Sequence, residues 1–462
     1  MPRAADPRGV APALAAALAA GWVLTGLRVP LVEDSLFWWV PQALLQVEQG
    51  LSIETGGPLP AALQAGLEPG AVPRQWTGGL PDYAHPPLWT WWLAAFLAVA
   101  PRVEAVHLAA ALPAALAAAG FASLGQRLGH RYAGFAIFGL PPVLSLWWRA
   151  ELDLPLLAVV PWALLALIDG RWGRFAVLSV LAVGCKEPGV LLAAPAAWRC
   201  LHERRLRPQA LAPLLALGAW GLLHPAGLAS PERLPASVDA WLRTDLPAAL
   251  RLAFWDQGRG LLLLGLPFVL RHVRGMPGQL CVVFAVTWVV FFSAVGFFAT
   301  GGPSPLPTHV RYFVPGLAVA AVVLGARWPA LALPGLLSLL QPSPWGPEAS
   351  LHGLAAARAE AESAPWIARR IDEGQAVWVG SYHAAALTQP WAGAVPAPVR
   401  GLRVYGPETD PAALAPGDLL VIAAYGEPAG RLLRALSTDP VASWSEARAT
   451  ARAVRVRGPA PR

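Results

Sequence analysis

The sequence predicts a mainly α-helical, polytopic membrane protein of about eleven transmembrane helices, with a small α/β domain at its C-terminal end. Three observations predict it. Of the 462 residues 56% are hydrophobic and 14% are charged, with a mean hydropathy of +0.48, which excludes a soluble globular enzyme. The arginines fall in short clusters between apolar runs, the distribution of positive-inside loops. The composition then changes after Gln341-Pro342-Ser343-Pro344. The formal charge of +7 is therefore a membrane-topology signal, and the expected partner is the lipid bilayer with no nucleic acid.

The first apolar run, Ala11 to Leu31, follows Arg3 and Arg8. It resembles the start of a signal peptide, but it is long enough to span and many apolar segments follow it. A first outer loop of residues 32–102 comes next. It opens on Glu33-Asp34, and Ser35 to Gln49 reads as a helix lying in the interface with its glutamines facing water. His85-Pro86-Pro87 then starts a second surface helix, Pro87 to about Val99, with tryptophans of the interfacial type. Further spans are expected at Val103–Leu124, Tyr132–Trp148, Leu152–Ile168, Phe175–Trp198 and Leu211–Leu223. The span from Phe175 is broken by Lys186-Glu187-Pro188-Gly189. A second outer loop, His224 to about Arg259, precedes Leu261–Leu270, Leu280–Phe298, Phe313–Ala326 and Trp328–Leu340. Orientation by the arginine loops puts the N-terminus in the cytoplasm and the first loop outside, as expected for a multi-pass protein of the bacterial inner membrane.

Residues 1–341 thus form a transmembrane domain and 342–462 a C-terminal exoplasmic α/β domain. In the latter, Leu351–Ile371 reads as an amphipathic helix, Ala376–Gly380 and Asp418–Ala424 as strands, and Gly430–Leu436 as a helix. It carries no Walker or Rossmann glycine pattern. Cys185, Cys200 and Cys281 lie in or beside apolar segments, so no disulfide framework is proposed.

Several polar residues stand out against this background. Lys186 is the single lysine of the chain and interrupts a span, and intramembrane charge is a functional hypothesis by default. A compact ammonium suits a phosphate; a Lys186/Glu187 pair at a kink is the structural alternative. Asp153, just after Glu151, opens a span, where a plain helix-start acid is also found. Arg311 with Tyr312 opens another, where interfacial anchoring is the alternative. Glu33 and Asp34 read as general-base candidates or as a helix cap with a first-turn acid. With His85, these residues gather carboxylates and cations on one proposed membrane face, an arrangement suited to an anionic, lipid-linked substrate meeting a general base. No zinc-site spacing and no G-x-S-x-G elbow is present.

The order of these parts resembles the integral-membrane glycosyltransferases of the GT-C type, particularly the bacterial group similar to protein O-mannosyltransferases and aminoarabinose lipid A transferases. The resemblance rests on Glu33-Asp34, His85-Pro86-Pro87-Leu88, Asp153, Lys186-Glu187-Pro188 and Arg311-Tyr312, in that order. It implies transfer of a sugar from a polyprenyl-phosphate-linked donor to an acceptor (protein, lipid or glycan) at the outer face. Glu33 or Asp34 would be the catalytic base, and His85, Asp153, Lys186 and Arg311 would bind substrate or the carrier phosphate. The usual order of the acidic pair is Asp then Glu, reversed here, so both stay candidates. Some members hold a divalent metal near this loop; no complete ligand set is visible in this sequence. The competing reading is a transporter or flippase of an amphipathic anion, which should show paired broken helices in repeated halves; a non-catalytic scaffold is the third.

Overall fold

The computed structural model describes residues 7–31, 34–54, 56–81, 85–224, 237–251, 273, 275–294, 311–328, 349–423, 429–446 and 449–460. The chain divides into two compact units that do not follow sequence order. One comprises Met1–Thr25, Ala84–Trp89 and Ala109–Glu348, the other Gly26–Tyr83, Thr90–Leu108 and Ala349–Arg462.

The first unit is helical. Helix α1, Pro7–Thr25, ends before the expected Leu31. Within this unit Trp22 stacks on Trp148 with ring centroids 4.4 Å apart, and each indole donates to a backbone carbonyl, Trp22 to Leu144 and Trp148 to Trp22. The expected single span Tyr132–Trp148 is instead a 3₁₀ stretch, Ala133–Gly139, followed by a short helix, Pro141–Arg149. Gly139 and the Pro141-Pro142 pair explain the break, since proline cannot continue a helix begun before it. Gly134 is required in that stretch because a Cβ there would overlap the backbone of Ala122.

Asp153–Ile168 and Trp172–Cys185 form a hairpin about Gly170, whose φ of +70° suits glycine. The break expected at Lys186 is present. Lys186 is extended, and a 3₁₀ turn, Glu187–Leu192, leads into Ala193–Glu203. Gly189 folds back against Ala182 so closely that a Cβ would collide with its backbone. Helix Ala212–Leu223 follows. The loop expected from His224 to about Arg259 is partly helical, with turns over Val238–Ala240, Trp241–Asp245 and Leu246–Leu250 begun by Ser237, whose side chain accepts from Ala240 N–H. Helices Met276–Ala294 and Val314–Arg327 match two further expected spans. The second is buried from Val314 to Leu324. The expected spans Leu261–Leu270 and Trp328–Leu340 lie outside the described residues, Trp328 excepted.

Among the described residues, two helices, Val103–Arg127 and Met276–Ala294, are long and apolar enough to cross a bilayer, and five shorter apolar helices accompany them.

The second unit joins first-loop residues to the C-terminal α/β part. Its sheet has strands β1 (Val377–Gly380), β2 (Leu402–Tyr405), β3 (Leu419–Ile422), β4 (Leu436–Glu446) and β5 (Ala449–Pro459), in the order β2-β1-β3-β5-β4. The first three are parallel and the last two antiparallel. Strand alternation sorts side chains to two faces. Val377, Val379, Leu419 and Val421 pack under helix Ala349–Asp372 with Ile367, whereas Leu420, Val454 and Val456 pack with Leu414 and Leu432.

First-loop residues complete this unit. Ala71 enters the first of those cores. Val404 of the edge strand β2 donates to Gly70 O at 3.2 Å, covering an edge that would otherwise offer unpaired backbone groups. Gln389 Nε2 donates to Leu63 O, Arg74 N–H to Ser381 Oγ, and Gly401 N–H to Glu68. Gly66 lies against the carbonyl of Thr388, leaving no space for a Cβ. The expected surface helix Ser35–Gln49 is present as a π-helical stretch, Ser35–Trp39, continued by Val40–Gln49. Its polar face is turned to water only at Gln49; Ser35, Gln42 and Gln46 are buried, against expectation. The Gln46 amide bonds Ser52 and Glu54 backbone groups instead, closing the loop on its own helix. The second expected surface helix is Leu88–Leu97.

Candidate functional site

Within the helical unit, three consecutive odd-numbered residues converge on one buried cluster. The helix Pro141–Arg149 stops at Ala150, which adopts a left-handed conformation (φ 50°, ψ 38°). A non-glycine residue there costs about 1–2 kcal/mol. Trp89 holds the turn by donating its indole N–H to Ala150 O at 3.0 Å. Because helix Asp153–Ile168 begins almost at once, the short link delivers Arg149, Glu151 and Asp153 side by side, each no more than 2% exposed.

Each charge in this cluster has an opposite partner, as burial demands. Lys186 Nζ lies 2.6 Å from Asp153 Oδ1, with the two side chains 7% and 2% exposed. Glu151 Oε1 lies between two guanidiniums, Arg149 at 2.9 Å and Arg311 at 3.1 Å. His85 Nδ1 contacts both oxygens of Glu187 at 2.8 and 2.7 Å. The structural alternative of a Lys186/Glu187 pair is thus not what forms. Lys186 takes its partner from 33 residues upstream, and Glu187 takes His85.

Tyr312 ties the cations together. Lys186 Nζ stands 4.8 Å from its ring centroid and the Arg311 guanidinium 5.0 Å, while Arg311 Nη2 donates to the Tyr312 hydroxyl at 3.1 Å. Phe292 stacks on the same ring at 5.8 Å, and Trp288 Nε1 donates to Tyr312 O. The result is a pair of buried cations fixed against one aromatic ring. Three residues expected from the sequence, Asp153, Lys186 and Arg311, therefore meet in one network, and the fourth, His85, pairs with Glu187, the chain neighbour of Lys186. Arg149, Glu151 and Tyr312 belong to the network as well. Their signal was adjacency: each lies within four residues of a candidate.

Asp34 belongs to the other unit. It is half-buried and stands immediately before the π-helical stretch Ser35–Trp39, a distortion frequent at functional sites. Trp76 Nε1 takes the Phe37 carbonyl in that stretch. Asp34 makes no side-chain capping hydrogen bond to the helix that follows, so the capping role is not what this carboxylate performs. Glu33 lies outside the described residues.

Among the described residues no group of three or more His, Cys, Asp or Glu side chains is placed to hold a metal ion.

No family model matches the chain, and no curated protein matches it in sequence. Five chains of solved structures match it. One is the crystal structure of ArnT from Cupriavidus metallidurans bound to undecaprenyl phosphate, with a TM-score of 0.52 and 15% sequence identity over 95% of this chain and 97% of that one. At that identity the likeness is one of fold. The fold of this chain is that of ArnT, a GT-C aminoarabinose lipid A transferase and so a protein of the group that its sequence motifs resemble.

Proposed function

We propose that the chain is a polyprenyl-phosphate-sugar-dependent glycosyltransferase with about eleven spans. It transfers a sugar to an acceptor at the outer face of the bacterial inner membrane, with the N-terminus cytoplasmic and residues 342–462 exoplasmic. The observation that carries this reading is the convergence of buried Lys186 and Arg311 on the Tyr312 ring, in a fold shared with a protein whose structure holds undecaprenyl phosphate.

The chemistry follows from what each group can do. A carboxylate in the first loop, Asp34 or Glu33, takes the proton of an acceptor hydroxyl or amine as that atom attacks the anomeric carbon. The bond between that carbon and the phosphate oxygen breaks, and the carrier phosphate departs with one more negative charge. Lys186 and Arg311 stabilise that growing charge, an effect that strengthens in a water-poor site. An ammonium has three N–H donors, and Asp153 takes one of them. Asp153 and Glu151 keep the cations neutralised until the substrate arrives, and Glu187 orients the His85 imidazole through Nδ1. No step in this scheme needs a nucleotide.

The test uses purified full-length protein with a panel of polyprenyl-phosphate sugars, scoring release of the free carrier phosphate. Asp34→Asn or Glu33→Gln, whichever removes the base, should lower turnover by about a hundredfold to ten-thousandfold while the carrier still binds. Near-normal turnover in both single variants would remove the first-loop acids from the reaction.

A further inference from the structure

A second site lies apart from the cluster just described and shares no residue with it. At one end of three helices is a cavity of about 790 Å³ whose lining includes Arg127, Arg131, Arg171 and Arg174 with a single acid, Asp169. The geometry follows from the chain. Arg127 is the last residue of helix Val103–Arg127, Asp169 caps the C-terminus of Asp153–Ile168, and Arg171 and Arg174 flank the start of Trp172–Cys185.

Two arginines share the one carboxylate. Arg127 Nη2 is 3.1 Å from Asp169 Oδ2 and Arg171 Nε is 3.9 Å from it. Arg131 lies over the Tyr132 ring at 4.5 Å, and neither it nor Arg174 makes an ion pair with a described residue. Four cations against one anion leave three positive charges in excess around one cavity. Compensation of two helix C-termini explains why cations stand here. It does not explain a cavity of this size, which is large enough for a headgroup.

The apolar side of the cavity indicates what the anion is attached to. Trp162, Leu165 and Ala166 line it, and Trp162 Nε1 donates to Leu116 O at 3.0 Å. Leu112 and Leu116 are 50% and 44% exposed. They lie on the helix face that continues, two turns on, to Ser123 in the cavity lining. An exposed apolar stripe thus runs into a basic cavity, the arrangement with which membrane proteins bind anionic headgroups.

We propose that this cavity holds the phosphate of an anionic phospholipid headgroup, its acyl chains lying along Leu112 and Leu116. The inference rests on the chain being a membrane protein and is independent of sugar transfer. The test is native mass spectrometry of the delipidated full-length protein titrated with phosphatidylglycerol, with phosphatidylcholine of the same chains, and with glycerol phosphate. Phosphatidylglycerol should bind well ahead of both others. Arg171→Gln/Arg174→Gln should weaken it about thirtyfold, which is about 2 kcal/mol for two cations near a phosphate. Arg171→Lys/Arg174→Lys should stay within about threefold of the parent, since the charge is kept. Equal binding by the glutamine variant, or equal binding of phosphatidylcholine, would overturn the proposal; glycerol phosphate binding as tightly as the lipid would make this a site for soluble anions and overturn it too. If the glutamine variant melts early, the lysine variant and the headgroup comparison decide the matter.

Discussion

Replacing Lys186 by Met keeps most of the apolar stem and deletes the charge, so it isolates the ammonium. Lys186 Nζ and Asp153 Oδ1 are 2.6 Å apart and almost fully buried. At an effective dielectric of about 20, two unit charges at that separation attract by about 6 kcal/mol. Desolvation of both groups offsets most of this, so the intact pair contributes little net stability. Removing one partner is different, because it strands the other charge: Lys186→Met alone should destabilise the protein by about 3–5 kcal/mol. Lys186→Met/Asp153→Asn should recover most of that loss, whereas Lys186→Met/Glu187→Gln should not, since Glu187 is paired with His85. The assay is thermal unfolding in detergent for the parent, the three single variants and the two doubles, alongside polyprenyl-phosphate affinity. The charge deletion should also weaken carrier binding by about 1.5–3 kcal/mol, roughly tenfold to a hundredfold. A coupling between positions 186 and 153 below about 0.5 kcal/mol, or rescue by Glu187→Gln instead, would refute the pairing; unchanged carrier affinity would remove Lys186 from the substrate site.

Two further outcomes test the unit that joins the first loop to the C-terminal part. Gly66→Ala should lower the unfolding midpoint through an overpacking cost of about 1–3 kcal/mol, because its new methyl group meets the Thr388 carbonyl; a midpoint unchanged from the parent would show that the loop does not seat there. His383 is fully buried, with Nε2 3.0 Å from Ser363 Oγ, and burial pushes its pKa down from 6.5 to about 4. The unfolded chain therefore takes up a proton that the folded one refuses between those values. The stability this contributes is complete above pH 6.5 and is lost as pH falls towards 4, by about 3 kcal/mol in all. Unfolding midpoints recorded from pH 7 to pH 4 should fall more steeply for the parent than for His383→Gln; parallel curves would contradict the burial of a neutral imidazole.

The helical architecture was legible because apolar runs and arginine clusters are local signals. The kink at Lys186 was legible for the same reason, since a lone lysine followed by Glu187-Pro188-Gly189 cannot continue a helix comfortably. Its partner was not, because ion pairing with Asp153 is decided by tertiary packing across 33 residues. The expected span over Tyr132–Trp148 overlooked how strongly Gly139 and Pro141-Pro142 punctuate an apolar run. The glutamines of Ser35–Gln49 were assigned to water because amphipathic spacing separates two faces without saying what covers either one. Strand β2 was missed because four residues, Leu-Arg-Val-Tyr, give too short a pattern. The hairpin β4–β5 was overlooked although Arg455-Val456-Arg457 in β5 alternates as a half-buried strand does. Within the site, Asp153, Lys186 and Arg311 were chosen for charge within or at the start of apolar spans and His85 for its place in the motif order; the first criterion also applied to Arg149 and Glu151 one helix end away.

The pairing of first-loop residues with the C-terminal sheet has a consequence during synthesis. Gln389 bonds Leu63 across 326 positions and Gly401 bonds Glu68 across 333. At roughly 5–20 residues per second, the loop waits roughly 15–60 s before the segment that receives it has been made. During that interval Gly70 has no β2 strand to cover and Ala71 no core to enter. The order of events is therefore fixed by chain position: the membrane helices are threaded first, and the first loop settles only when the last quarter of the chain has folded against it. Contacts of such separation close slowly, so a nascent chain arrested near residue 340 should carry a protease-sensitive first loop that the completed chain protects.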